Sequence, residues 1–375
     1  MAHTISYREQ VDRKRIEQIR EICLDLPQAC SDFLRHIAMT TGTLTRLAYA
    51  IDLRTFFQYL NRERILFAQK PCTLYEDADL AALKSKDLVA YAEYLTYYFK
   101  ADDNNFSDDS RVLVNHDLAI KRKLCTVRAF YDYLFQSERI PSNVTLLVPL
   151  PKVHEKPILR LSEDEVRSML QMAETGDGLT KGQKKFQNVN GKRDFALLML
   201  FLGTGIRVSE CVGLNMTDID LNTNAFLVTR KGGNQAVLYF QDQVHDALKD
   251  YLDVRAGIEA LPGHEDALFL SMQKKRINQR TVQMLVKKYA SVAAPLKPRI
   301  SPHKLRSTFA TNLYQETGDI YLVADVLGHS SVDTTRKHYA DMTEQRRRMA
   351  ASHVHLPTST SEDDDTAHPE KRPDE

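Results

Sequence analysis

Apolar residues in the first 140 positions recur at intervals of three and four, the period of a helix with one buried stripe. Residues 43–60, TLTRLAYAIDLRTFFQYL, set Leu44, Leu47, Ile51 and Phe57 or its neighbour Phe56 near one stripe and predict a helix. Residues 86–99 predict another through Leu88, Tyr91, Leu95 and Tyr98. The strongest pattern is 116–137, where Ile120, Leu124, Val127, Tyr131 and Leu134 alternate by four and three. Lys121, Arg122, Lys123 and Arg128 fall mostly off that stripe. Residues 16–35 read as helical with breaks at Asp25 and Pro27, and 101–110, ADDNNFSDDS, read as an acidic loop. The expectation for residues 16–148 is a compact all-helical bundle.

The pattern then breaks. PSNVTLLVPLPKVHEKPILR (141–160) has four prolines and little periodicity, which marks 149–160 as an interdomain linker. Ser162 followed by Glu165 has the form of a capping box ahead of Val166, Met169 and Leu170. Residues 173–192 are polar and contain glycine, which predicts a long loop. The apolar run 194–202 predicts a buried helix ended by Gly203-Thr-Gly205. Residues 224–240 change period: AFLVTR and AVLYF are β-rich, with Lys-Gly-Gly-Asn between them, a hairpin signal. Helical patterning resumes from about 242 to 350. The fold class is therefore mainly α: an N-terminal helical bundle, then a mixed α/β domain over 161–355 with a small β-sheet or hairpin. Residues 356–375 are expected to form a disordered acidic tail.

Composition adjusts this picture in three places. The 375 residues carry 51 basic and 50 acidic side chains, a net charge of +1. Ser361 to Glu375 hold seven acidic and two basic residues, net −5, so the rest carries +6. A basic body is compatible with phosphate binding, which depends on local patches. No apolar run approaches the ~20 residues of a membrane helix, and the N-terminus lacks a signal-peptide stretch. The five cysteines are dispersed and include no Cys-x-x-Cys pair, which points to reduced thiols in a cytoplasmic protein and against a structural zinc site.

Candidate chemistry lies in the second half. Arg207 follows Gly-Thr-Gly and opens a new helical run; a guanidinium there can direct a planar donor fork at a phosphate. By itself it reads more readily as a surface arginine, and the Gly-x-Gly matches neither a P-loop nor a dinucleotide fingerprint. Lys231 sits at the expected hairpin tip, placed either to donate a proton or simply to be solvated. His303 and Arg306 are three apart on a helix opened by Pro302 and share a face. A fixed cation beside the histidine suits a phosphate better than a metal, although a satisfied core histidine also fits. His329 follows Leu-Gly near a helix end. Tyr339 is the last tyrosine; its phenol titrates near about 10 and attacks only with a base or a strongly positive pocket. A packed aromatic is the alternative.

The words around these residues are GTGIRVSE (203–210), VTRKGG (228–233), SPHKLRSTFAT (301–311) and LGHSSVDTT (327–335). In that order they resemble the tyrosine recombinase, or phage integrase, family over roughly residues 20–350. Within it the chain is similar to Xer-type site-specific recombinases, nearest the XerS-like branch in which one recombinase acts without a partner paralogue. The resemblance implies that Arg207, Lys231, His303, Arg306 and His329 are catalytic, that Tyr339 is the nucleophile and that Glu210 supports the site. TLTRLAYAIDLRTFF (43–57), with Thr45, Tyr49, Asp52 and Leu53, and RKLCTVRAFYDYL (122–134) resemble DNA-facing helices of the family's core-binding domain. Arg46, Arg122, Lys123 and Arg128 are the expected DNA contacts. Two departures stand out: Ser307 replaces a common second histidine, and Tyr339 lies ten residues after His329 where nine is commoner.

What the resemblance implies is cleavage and rejoining of duplex DNA through a 3′-phosphotyrosine, with neither ATP nor a metal as cofactor. It implies a homotetramer on two specific sites, a possible DNA translocase as regulator, no membrane partner, and chromosome-dimer resolution at a dif-like site. A mobile-element integrase or excisionase, a type IB topoisomerase and a catalytically silent DNA-binding protein are the alternatives.

Overall fold

The protein's structure, a computed structural model, describes residues 6–63, 67, 70–99, 112–152, 159–230, 233–297 and 299–328. The chain forms two compact units, Met1–Pro157 and Ile158–Glu375.

The first unit is helical. It runs α1 (Tyr7–Cys23), α2 (Gln28–His36), α3 (Thr43–Glu63), α4 (Asp77–Ala81), α5 (Ser85–Tyr94) and α6 (Asp117–Gln136). Helix α1 starts nine residues before position 16, on a capping box between Ser6 and Glu9. The expected stripe of α6 is buried at all five positions. On α3 the stripe is rotated from the expected one. Leu44 and Ile51 are exposed at 61% and 39%, while Ala50, Leu53, Phe56, Phe57 and Leu60 are buried. Helices α1, α2 and α6 all pack on α3, so its apolar residues spread round the axis and leave no single stripe to read. The centre of this core is aromatic: Phe56 meets Tyr91 with ring centroids 5.0 Å apart, and Phe33 meets Phe130 at 5.6 Å.

One expected helix is shorter. Helix α5 stops at Tyr94, and Tyr97–Phe99 form strand β1, antiparallel to β2 (Val112–Val114) with Tyr97 opposite Val114. Aromatic and β-branched residues favour a pleated pair over another helical turn. The acidic loop 101–110 lies outside the described residues.

The second unit begins with α7 (Glu163–Thr175), whose capping box is present: Ser162 N donates to Glu165 Oε2 at 2.7 Å and Glu165 N donates to Ser162 Oγ at 3.3 Å. The long loop expected over 173–192 is corrected to a short turn, 176–180, between two helices. Helix α8 spans Lys181–Thr204, starting on a second capping box between Thr180 and Gln183. Buried Gln187 holds it in place, its amide donating to the carbonyls of Ala173 and Glu174 at 3.0 Å each. A polar residue here does the work of a core contact, which hydropathy does not register.

After α8 come α9 (Val208–Cys211) and an antiparallel sheet in the order β3 (Ile219–Asp220), β4 (Ala225–Thr229), β5 (Gln235–Tyr239). Leu227 faces Val237 across the hairpin. Phe226, Val228 and Leu238 point into the core. Among the described residues four helices follow: α10 (Asp242–Ala256), α11 (Gln279–Ala293), α12 (Pro302–Thr317) and α13 (Ile320–Leu327). Buried Asp194 ties α8 to α11 through Lys288 Nζ at 2.9 Å and the Tyr289 hydroxyl at 3.0 Å. All five cysteines are unpaired. Among the described residues no helix is long and apolar enough to cross a membrane. The expected tail, 356–375, lies outside them.

Candidate active site

Helix α8 ends because Gly205 adopts φ +62°, a left-handed conformation that costs a glycine little. The chain turns there, and Arg207 becomes the N-cap residue of α9 in an extended conformation. Glu210, one helical turn on, reaches back with both oxygens. Its Oε2 accepts from the Arg207 backbone N at 3.0 Å, and its Oε1 accepts from Arg207 Nη1 at 2.8 Å. The carboxylate is 4% exposed and the arginine side chain 30%. A buried anion thus fixes a cation whose other end is turned outward from it. That other end, Nη2, donates to the carbonyl of Gly328 at 3.0 Å.

Arg306 comes from α12, which opens on Pro302 at its first turn, where the missing N–H is no loss. Its side chain is buried. Nη1 donates to the carbonyl of Gly205 at 2.5 Å, and Nη2 donates to the carbonyl of Leu327. Arg306 therefore joins the turn after α8 to the end of α13, and Arg207 joins α9 to the Gly328 carbonyl that follows α13. His303 lies one turn before Arg306 on the same helix and is exposed.

A third arginine joins them that sequence reasoning did not single out. Arg230 follows β4, and its Nη1 and Nη2 donate to the carbonyls of Asp325 at 3.3 Å and Val326 at 2.9 Å. Three guanidinium groups thus meet four consecutive carbonyls, 325–328. The end of a helix carries unpaired, partly negative carbonyls, which explains why cations collect there. Gly328, at φ +61°, is the left-handed cap of α13; a Cβ at this position would run into the Arg230 guanidinium. Only the tertiary contact marks Arg230, since nothing in the spacing of its neighbours does.

Lys231, His329 and Tyr339 lie outside the described residues. Lys231 follows Arg230 directly in the chain and His329 follows Gly328. Their chain neighbours are therefore brought together, at the arginine cluster.

The four expected DNA contacts of the first unit have protein partners. Arg46 Nε donates to the Leu34 carbonyl at 3.1 Å, and Arg128 Nη2 donates to the carbonyls of Thr145 and Val148 at 3.2 and 2.9 Å. Arg122 and Lys123 both pair with the fully buried carboxylate of Asp52, Arg122 Nη2 at 2.8 Å and Lys123 Nζ at 3.3 Å. Arg122 remains half exposed at 49%. Lys123 is buried, a correction to the expected DNA role: its ammonium neutralises Asp52 inside the bundle. Among the described residues no group of three or more His, Cys, Asp or Glu is arranged to hold a metal ion.

The chain is similar to known proteins over most of its length. The phage integrase family pattern matches residues 159–346. A tyrosine recombinase XerC from Caldanaerobacter subterraneus subsp. tengcongensis is 32% identical over 325 residues, 84% of this chain and 83% of that protein. A tyrosine recombinase XerC from Chlorobaculum tepidum is 30% identical over 86% of this chain and 93% of its own length. Two solved structures share the fold. The Tn1549 transposon integrase with circular intermediate DNA superposes with a TM-score of 0.58 at 19% identity, over 86% of this chain and 98% of that one. The XerH site-specific recombinase on its difH substrate superposes with a TM-score of 0.57 at 20% identity, over 83% and 80%. With the family pattern across the whole arginine corner and two relatives aligned along most of both lengths, the chain belongs to the phage integrase family of tyrosine site-specific recombinases.

Proposed function

We propose that the arginine corner holds the scissile phosphate of duplex DNA and that Tyr339 attacks it. The observation that carries this reading is the convergence of Arg306 and Arg207 on the adjacent carbonyls of Leu327 and Gly328, with Arg306 also held by the Gly205 carbonyl. Two guanidinium groups already fixed by buried partners stabilise the charge of a pentacoordinate phosphorus without reorganising. In the forward step the Tyr339 oxygen bonds to phosphorus and its proton passes to His303. The bond from phosphorus to the 5′-oxygen breaks, and Lys231 protonates the departing oxygen. His329 donates a hydrogen bond to the phosphate. The products are a 3′-phosphotyrosine and a free 5′-hydroxyl. The covalent bond conserves the phosphodiester energy for the reverse step on a partner strand.

The substrate in this reading is a specific duplex site bound by a homotetramer, two sites at a time. Both XerC relatives favour a dif-like site and chromosome-dimer resolution over mobile-element integration. A DNA translocase is the proposed regulator. Arg46, Arg122 and Arg128 are the proposed phosphate contacts of the first unit.

Trapping on a nicked suicide substrate tests the chemistry. The native chain should form a covalent adduct, and Tyr339→Phe should form none while binding the site within a few-fold of native affinity. An adduct formed by Tyr339→Phe would assign the nucleophile elsewhere. Sequencing the DNA covalently trapped across a genome tests the site: a single chromosomal locus supports chromosome resolution, and element ends overturn it.

A further inference from the structure

We infer that Arg230 is a positioning residue for the proton donor of the cleavage step, acting through Lys231, which follows it in the chain. This rests on the proposed reading of Lys231 as the general acid. Arg230 directly follows strand β4, whose register with β5 fixes where the strand finishes: Thr229 is opposite Gln235. The Arg230 backbone N donates to the Asn234 carbonyl at 2.8 Å, and Gly233 N donates back to the Arg230 carbonyl at 3.1 Å. Hydrogen bonds within the hairpin therefore hold the backbone of Arg230. Its guanidinium crosses to α13 and donates to the carbonyls of Asp325 and Val326.

The consequence is mechanical. A two-stranded tip standing on its own pivots about its base. Here the residue between the strand and Lys231 is bolted to the same helix end that takes Arg306 at Leu327 and Arg207 at Gly328. The strap and the two phosphate-directed arginines thus share one rigid support. Gly328 leaves room for the strap: a Cβ there would overlap the Arg230 guanidinium and push it aside. A planar fork spanning two adjacent carbonyls is a contact that arginine makes and lysine cannot reproduce. Donor placement matters at this scale, since a misplacement of about 1 Å in a reacting group costs on the order of 10²-fold in rate.

The test uses two DNA substrates. One is the ordinary suicide substrate. The other carries sulfur in place of the 5′-bridging oxygen, so the leaving group departs as a thiolate and needs no proton. Lys231→Ala serves as the reference for a lost acid: slow on the oxygen substrate and restored on the sulfur substrate. Arg230→Ala should bind the site normally, cleave the oxygen substrate about 10- to 10²-fold more slowly, and recover to within a few-fold on the sulfur substrate. Arg230→Lys should keep most of the defect, because a single ammonium does not span two carbonyls. An Arg230→Ala defect equal on both substrates would mean that the strap acts on the phosphate side or on folding, and the inference would be wrong. Native rates for Arg230→Ala on both substrates would also overturn it. Failure of the sulfur substrate to restore Lys231→Ala would instead remove the assignment of Lys231 as the acid, a separate result.

Discussion

Glu210 contributes more to the site than a helix cap. Both of its oxygens bind one arginine, one through the backbone N–H and one through the guanidinium, and its carboxylate is almost fully buried. A buried charge in this position orients Arg207 and keeps it from the alternative rotamers a long side chain visits in water. Glu210→Gln keeps the size and one acceptor but loses the charge. The expected outcome is a cleavage rate lower by about 10- to 10²-fold with site binding nearly unchanged, measured by adduct formation against a gel-shift control. Equal rates for the two proteins would reduce Glu210 to a cap. The sequence exposed Arg207, Arg306 and Glu210 through the boxes around them. It was silent on Arg230, because an arginine two positions ahead of a glycine pair is indistinguishable from a strap until the opposite helix end is in place.

Two elements show how a charged residue organises helices. Asp52 on α3 is fully buried and accepts from Arg122, Lys123 and Thr126, all on α6. The pairing fixes the register between the two helices that carry most of the aromatic core. Asp52→Ala leaves Lys123 as an unpaired buried cation, and breaking such a pair costs about 3–5 kcal/mol. Half-exposed Arg122 recovers solvation, which favours the lower end of that range. The denaturant midpoint of the full chain should fall accordingly for its first unfolding transition; a shift under half a kcal/mol would show that the core holds the register unaided. Helix α8 is the matching case in the second unit. Thr180 and Gln183 form its cap and Gln187 fastens its first turns. A reading by hydropathy sees only a polar stretch there, since neither a cap nor a buried amide raises it.

At the scale of the molecule, charge is unevenly distributed along the chain: residues 361–375 carry −5 and the remainder +6. An acidic segment tethered to a DNA-binding chain competes with phosphate for the same cations. Removing residues 361–375 should tighten site binding at low salt, with the difference shrinking as the Debye length falls from about 10 Å at 0.1 M to about 3 Å at 1 M. A titration of affinity against salt for both chains measures this, and parallel lines would exclude a direct electrostatic role. The sequence alone determined the helical first unit, the hairpin, the family boxes and the chemistry they imply. Each is written locally: a period of 3.6, a turn word, a capping pair, a short run around a catalytic residue. The tertiary structure decided which face of α3 is buried, that α5 gives way to a strand, that 181–192 is helix, that Lys123 is a core cation, and that Arg230 joins the arginine corner. Those outcomes depend on partners far away in the chain, an aspartate 71 positions from its lysine and a strand end against a helix end 96 positions on. Only the folded chain pairs groups so far apart in sequence.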